Sequence, residues 1–198
     1  MKNIKNTVFI DSFDRDAVNF FREKLKYFKS NHLFMQKTVN MVGDVFGTVN
    51  LLKQGDPQFH SYLDRIKSKV QKHIGRSLTY YWVHMLEYEK GGEMIAHNHK
   101  QSEDYTALLY LNNCNNGSTF FMIDGKKYEI LPKRNRLVMY PSWVNHGSNY
   151  ATNKKVLVCG FKHASAFTYD QQKLIEGLPV DHPLQDIISN VKGERHGT

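Results

Sequence analysis

Apolar positions along this chain follow two rhythms, and the change comes near Ser77. Before it, apolar residues recur at steps of three and four. Val18, Phe21, Leu25 and Phe28 do so within Asp11 to Lys29, which predicts an amphipathic helix after a short strand at 7–10. Phe59, Tyr62, Leu63, Ile66, Val70 and Ile74 repeat the spacing after Asp56-Pro57, an N-cap residue followed by proline at the first helical position; Gly75 fits the C-terminal cap. Residues 30–55 show neither rhythm and are left unassigned. After Ser77 the runs are strand-like, at 78–88, 105–112, 118–123, 127–131, 136–140 and 155–161. Lys90-Gly91-Gly92, Asn115-Asn116-Gly117, Asp124-Gly125 and residues 149–153 read as turns between them, with Asp124-Gly125 the clearest hairpin signal. From about Thr168 the tail has the pattern of two short helices broken at Gly177-Leu178-Pro179.

Helices, then a β-rich body, then a helical tail predict an α+β, mainly β fold: a barrel or sandwich able to hold a site inside it. The chain has 198 residues, most simply one domain with its β-rich core at about 77–163. Hydrophobic residues make up 40% and charged residues 23%, which is a globular composition. No apolar run approaches the roughly 20 residues of a membrane helix, and the N-terminus lacks the pattern of a signal peptide. The two cysteines, Cys114 and Cys159, make neither a disulfide framework nor a CxxC site, so a cytoplasmic location is expected. The formal net charge is +8, but the lysines are dispersed and no specific nucleic-acid motif is present. Oligomeric state is not legible.

The chemistry concentrates in histidine. His97-Asn98-His99 offers two imidazoles on one face of an extended segment, and His146 follows the apolar strand at 137–140. Three such imidazoles can converge on one ion and suit iron, zinc, copper or nickel. A facial set leaves open positions for a cosubstrate and oxygen. The same three held around zinc would activate water instead.

The order of motifs around these histidines carries a resemblance. Thr106-Ala107-Leu108-Leu109-Tyr110-Leu111-Asn112 follows the histidine pair, then Gly117-Ser118-Thr119-Phe120-Phe121. Next come Pro132-Lys133-Arg134-Asn135-Arg136-Leu137-Val138-Met139-Tyr140-Pro141-Ser142, then His146. From about Thr79 to Lys162 the chain resembles the 2-oxoglutarate/Fe(II)-dependent oxygenases, particularly their prolyl-4-hydroxylase-like branch. That resemblance implies a double-stranded β-helix (a jelly-roll, cupin-like barrel) buttressed by the N-terminal helices. It implies Fe(II) and 2-oxoglutarate as cofactor and cosubstrate, and a dioxygenase that hydroxylates a C–H bond of a peptide or small molecule with release of succinate and CO2. By position, His97, His99 and His146 are the implied metal ligands, and Tyr110 the hydrogen-bond donor to the cosubstrate. Lys155, nine residues past His146, would be its charge partner, with Lys154 competing for that role. Trp143 is the implied substrate wall; Tyr81, Trp82, Tyr105 and Tyr150 are further aromatics that can shape the mouth.

The chain departs from the family pattern at three places. His99 stands where a carboxylate ligand is usual, so Asp104 or Glu103 is the alternative third ligand, with His99 behind it. Lys155 replaces an arginine and loses its bidentate fork. Asn135 replaces a turn glycine, a geometry asparagine tolerates. Two other functional classes stay open: a cupin-like three-histidine metal enzyme, and a catalytically degenerate binding module.

Overall fold

The structure is a computed structural model that describes residues 2–31 and 40–164. Its elements, in chain order, are β1 (Lys2–Ile4), β2 (Val8–Ser12), α1 (Arg15–Ser30), β3 (Met41–Gly47), α2 (Pro57–Ile74), β4 (Leu78–His97), β5 (Tyr105–Tyr110), β6 (Thr119–Ile123), β7 (Lys126–Ile130), β8 (Arg136–Pro141), β9 (Asn145–Ala151) and β10 (Lys154–His163). The tail expected to be helical from about Thr168 lies outside the described residues. No helix among the described residues is long and apolar enough to cross a membrane.

Both helices form where their apolar spacing predicts, and each is started by an aspartate. The Asp56 carboxylate accepts from the backbone N–H of Gln58 and Phe59, and Asp14 does the same for Asp16 and Ala17. The first helix therefore starts at Arg15, not near Asp11. Asp11 and Ser12 are still paired to Leu137 and Arg136 of β8, so the strand holds them. Gly75 closes α2 in a left-handed conformation.

The ten strands form one antiparallel sheet in the order β1-β2-β8-β5-β10-β4-β9-β6-β7, with β3 also on β4. The sheet curls because β4 belongs to both halves: Leu78 to Tyr88 pair with β10, while Gly92 to His97 pair with β9. This is the jelly-roll, double-stranded β-helix that the family resemblance implies. Lys90-Gly91-Gly92 is accordingly not a turn. The strand continues through a bulge opposite β3, and Gly91, at φ +119°, has the Tyr150 hydroxyl 1.8 Å from where a Cβ would sit. Nor is 149–153 all turn. β9 runs to Ala151, although its sequence, Asn-His-Gly-Ser-Asn-Tyr-Ala, has no alternating apolar pattern to announce it.

Strand alternation sorts the apolar residues into two cores. Ala107, Leu109, Leu137, Met139, Leu157, Cys159 and Phe161 face the helices and pack with Phe21, Phe28, Phe59, Leu63 and Ile66. Leu108, Tyr110, Val138, Tyr140, Val156 and Val158 point the other way, into the curl of the sheet.

Candidate metal centre

His97 ends β4 and His146 is the second residue of β9, and the two are direct register partners. His99 lies just past β4, and its backbone N–H donates to Ser142 O at 2.8 Å. The loops on both sides of the site are thereby joined. Ring centroids stand 4.5 Å apart for His97 and His146, 4.8 Å for His97 and His99, and 5.2 Å for His99 and His146. One ligand nitrogen from each ring lies within 4.8 Å of the others, a set that metal–nitrogen bonds of about 2.1 Å would draw together.

The rings are oriented for that task. His97 Nδ1 is 2.8 Å from Ile95 O, His146 Nδ1 is 2.9 Å from Val144 O, and His99 Nδ1 is 3.4 Å from a Glu103 carboxylate oxygen. The Nδ1 of His97 and of His146 each meets a carbonyl, which can only accept, so it carries the proton and leaves the Nε2 lone pair for an ion; His99 Nδ1 stands at contact distance from Glu103 without a hydrogen bond. Burial also keeps the rings neutral. It pushes the His146 pKa down to about 3 and that of His99 down to about 4, with the neighbouring imidazoles adding to both shifts.

The three histidines form one wall of a cavity of about 280 Å³. Leu86, Leu108, Val156, Val158, Met94 and Trp82 make its apolar walls, and Tyr88, Thr119, Ser148 and Lys154 line it as well. Lys154 is 2% exposed; its ammonium donates to Ser148 Oγ at 2.7 Å and Thr119 Oγ1 at 3.2 Å. No carboxylate pairs with it among the described residues, and burial lowers its pKa to about 7. The Tyr140 hydroxyl, beside His146 in the same cavity, is buried without a hydrogen-bond partner among the described residues.

These placements revise several expected roles. Lys155 points to the opposite face of β10, where its ammonium pairs with Glu87 at 3.0 Å, so its neighbour Lys154 is the cation in the cavity. Tyr110 does not line the cavity: its hydroxyl donates to Thr119 Oγ1 at 2.6 Å, and Thr119 is what the cavity meets. Asp104 is held away from the histidines, its carboxylate accepting from His163 N at 2.8 Å. Glu103 is buried behind His99 rather than beside the other two rings. Trp143 is 58% exposed on the turn between β8 and β9, next to Ser142, outside the cavity lining. Of the four further aromatics expected at the mouth, Trp82 lines the cavity and three do not: Tyr150 packs over Gly91, Tyr105 against His163, and Tyr81 beneath Lys162.

Tyr88, His84, Thr119 and Ser148 were not singled out from the sequence. Strand alternation is the signal that finds two of them: Trp82, His84, Leu86 and Tyr88 are successive inward positions of β4.

No family model matches the chain, and no curated protein matches it. Solved structures do. A prolyl-4-hydroxylase from Pseudomonas putida aligns with a TM-score of 0.62 at 14% identity, over 79% of this chain and 92% of that one. A prolyl hydroxylase from Trichoplax adhaerens, in complex with a hypoxia-inducible-factor peptide fragment, gives 0.67 at 14% identity, over 80% and 84%. HygX from Streptomyces hygroscopicus, with nickel and 2-oxoglutarate bound, gives 0.63 at 12% identity, over 82% and 84%. The chain thus has the fold of the 2-oxoglutarate/Fe(II) oxygenases, prolyl-4-hydroxylases among them.

Proposed function

We propose that the protein is a 2-oxoglutarate- and Fe(II)-dependent dioxygenase, a hydroxylase that acts on a peptide or a small molecule and releases succinate and CO2. One observation carries the reading: a buried ammonium, without a carboxylate partner among the described residues, shares a small, mostly apolar cavity with three convergent neutral imidazoles. The unpaired ammonium costs folding energy until an anion arrives, and the imidazoles offer their lone pairs to an ion. A dicarboxylate that spans from the histidines to Lys154 satisfies both.

In this reading His97, His99 and His146 hold ferrous iron by Nε2. Iron supplies oxygen activation by redox chemistry that no side chain can perform. Lys154 holds the distal carboxylate, with the Thr119 and Ser148 hydroxyls fixing its ammonium and Tyr110 fixing Thr119 from behind. Tyr140 offers a free phenolic donor beside His146. Leu86, Leu108, Val156 and Val158 exclude water from the methylene chain between. Trp143, exposed on the turn that leads to His146 and outside the cavity lining, is the substrate contact in this reading.

The test is anaerobic titration with Fe(II), with and without 2-oxoglutarate, followed by visible absorption. A weak new band that needs both components is the expected result. His97→Ala and His146→Ala should each abolish iron uptake. Iron binding without any 2-oxoglutarate-dependent band would point to a cupin-like three-histidine centre, and full iron stoichiometry in either variant would refute the ligand set.

A further inference from the structure

We propose that Glu103 is the anionic partner of the metal centre: a buried carboxylate that supplies, through His99, the negative charge three neutral imidazoles lack. This inference rests on the three-histidine iron reading above.

Glu103 is 2% exposed, and no lysine or arginine lies within ion-pair distance of it among the described residues; Lys162 acts on it only from farther away. Its neighbours are all hydrogen-bond donors. Oε2 accepts from Trp82 Nε1 at 3.1 Å and from the Ser102 hydroxyl. Oε1 accepts from Thr106 Oγ1 at 3.4 Å and faces His99 Nδ1 at 3.4 Å.

Local backbone geometry builds the contact. The backbone N–H groups of Ser102 and Glu103 both donate to His99 O, at 2.9 Å and 3.2 Å, closing a helical turn that brings position i+4 back over position i. Trp82 is aimed at the carboxylate by close packing on Gly160, where a Cβ would meet the indole at 2.5 Å.

Among the described residues, then, the cavity holds an ammonium without a carboxylate partner, Lys154, and behind its histidines lies a buried carboxyl group without a cation, Glu103. A dicarboxylate answers the first and a divalent ion the second. A carboxylate that accepts the Nδ1 proton of a ligating imidazole makes that ring a stronger, more anionic donor. The charge that an aspartate ligand would bring directly is relayed here from one residue farther out. Glu103 is thus a positioning and charge-compensating residue, and it does not itself touch iron.

The test reads Fe(II) affinity under anaerobic conditions and the Fe(III)/Fe(II) midpoint potential, with no turnover required. Glu103→Gln, nearly the same shape, should weaken Fe(II) binding by about 10- to 100-fold, the usual cost of losing such a partner, and raise the potential. Glu103→Asp should recover part of both. The decisive comparison is made in His99→Asp, where the ligand itself is a carboxylate and repels Glu103. In that background Glu103→Gln should strengthen Fe(II) binding. Equal weakening in both backgrounds would show a scaffold role through Trp82 and Ser102 and overturn the proposal, as would unchanged affinity in the otherwise wild-type protein. A wild-type protein that takes up Fe(II) while Glu103→Gln changes nothing sinks this inference alone. One that takes up no Fe(II) sinks the metal reading, and this inference with it.

Discussion

The two faces of β10 present charge in opposite ways. On the helix side Glu87, nearly buried, meets the ammonium of Lys29 and that of Lys155, each at 3.0 Å. Around it Leu157, Cys159 and Phe161 pack on an apolar layer in which Phe21 and Phe59 meet edge to face at 5.6 Å. On the inner side Lys154 has two hydroxyls and, among the described residues, no anion. The outer face thus closes its own electrostatics, whereas the inner face leaves them open. An uncompensated buried charge lowers stability, so a chain that keeps one needs another reason for it, and a ligand of opposite charge is the simplest. The outer core provides the stability that makes the inner arrangement tolerable.

Substitutions on the two faces should therefore separate stability from binding. Phe59→Ala on the helix side should cost about 3–5 kcal/mol of unfolding free energy, read by denaturant titration, with little change in 2-oxoglutarate affinity where the protein remains folded. Lys154→Met should do the reverse. It removes a desolvated charge, so the free protein should be as stable or more stable, while 2-oxoglutarate binding should weaken by about 2–5 kcal/mol in calorimetry. Loss of fold in that variant would contradict the contrast between the faces.

Proton uptake offers a finer measurement. Lys154 is lowered in the folded protein from 10.5 to about 7, so between those values the unfolded chain binds more protons than the folded one. This group's contribution makes the free protein more stable as pH rises from about 7 to about 10.5. A bound carboxylate favours the ammonium, so 2-oxoglutarate should bind with proton uptake at pH 8 and lose affinity as pH rises above about 7. Binding heats that do not vary with the buffer's ionisation enthalpy would break this expectation. The smallest effect belongs to Lys155→Ala. It removes one of two partners of Glu87 and should cost about 1 kcal/mol or less, with 2-oxoglutarate affinity unchanged. If that variant loses 2-oxoglutarate while Lys154→Met keeps it, the assignment of the two faces is inverted.

Local signals were the legible part of the fold. Asp56-Pro57 and Gly75 bound α2 at both ends because caps act within one turn. Asp124-Gly125 marks the hairpin of β6 and β7, both residues adopting positive φ. What local signals could not show was long-range pairing. β9 carries almost no apolar pattern and is held by β4 and β6. Ser12 lies in a strand because Arg136 faces it, not because its neighbours favour extension. Lys90-Gly91-Gly92 has the composition of a turn, yet the packing of Tyr150 and β3 makes it a bulge.

By itself the sequence determined both described helices and the three histidines, because each depends on spacing along the chain or on residue type; the jelly-roll was implied by the family resemblance. The tertiary structure alone decided which of two adjacent lysines faces the cavity. Val156, Leu157 and Val158 are apolar on both faces of β10, so alternation cannot tell inside from outside until the helices cover one side and the sheet curls over the other. The role of Glu103 follows the same logic. Whether a carboxylate four residues from His99 binds the ion or stands behind the ring depends on the turn that Ser102 and Glu103 close onto His99 O, and on the indole that reaches it from β4.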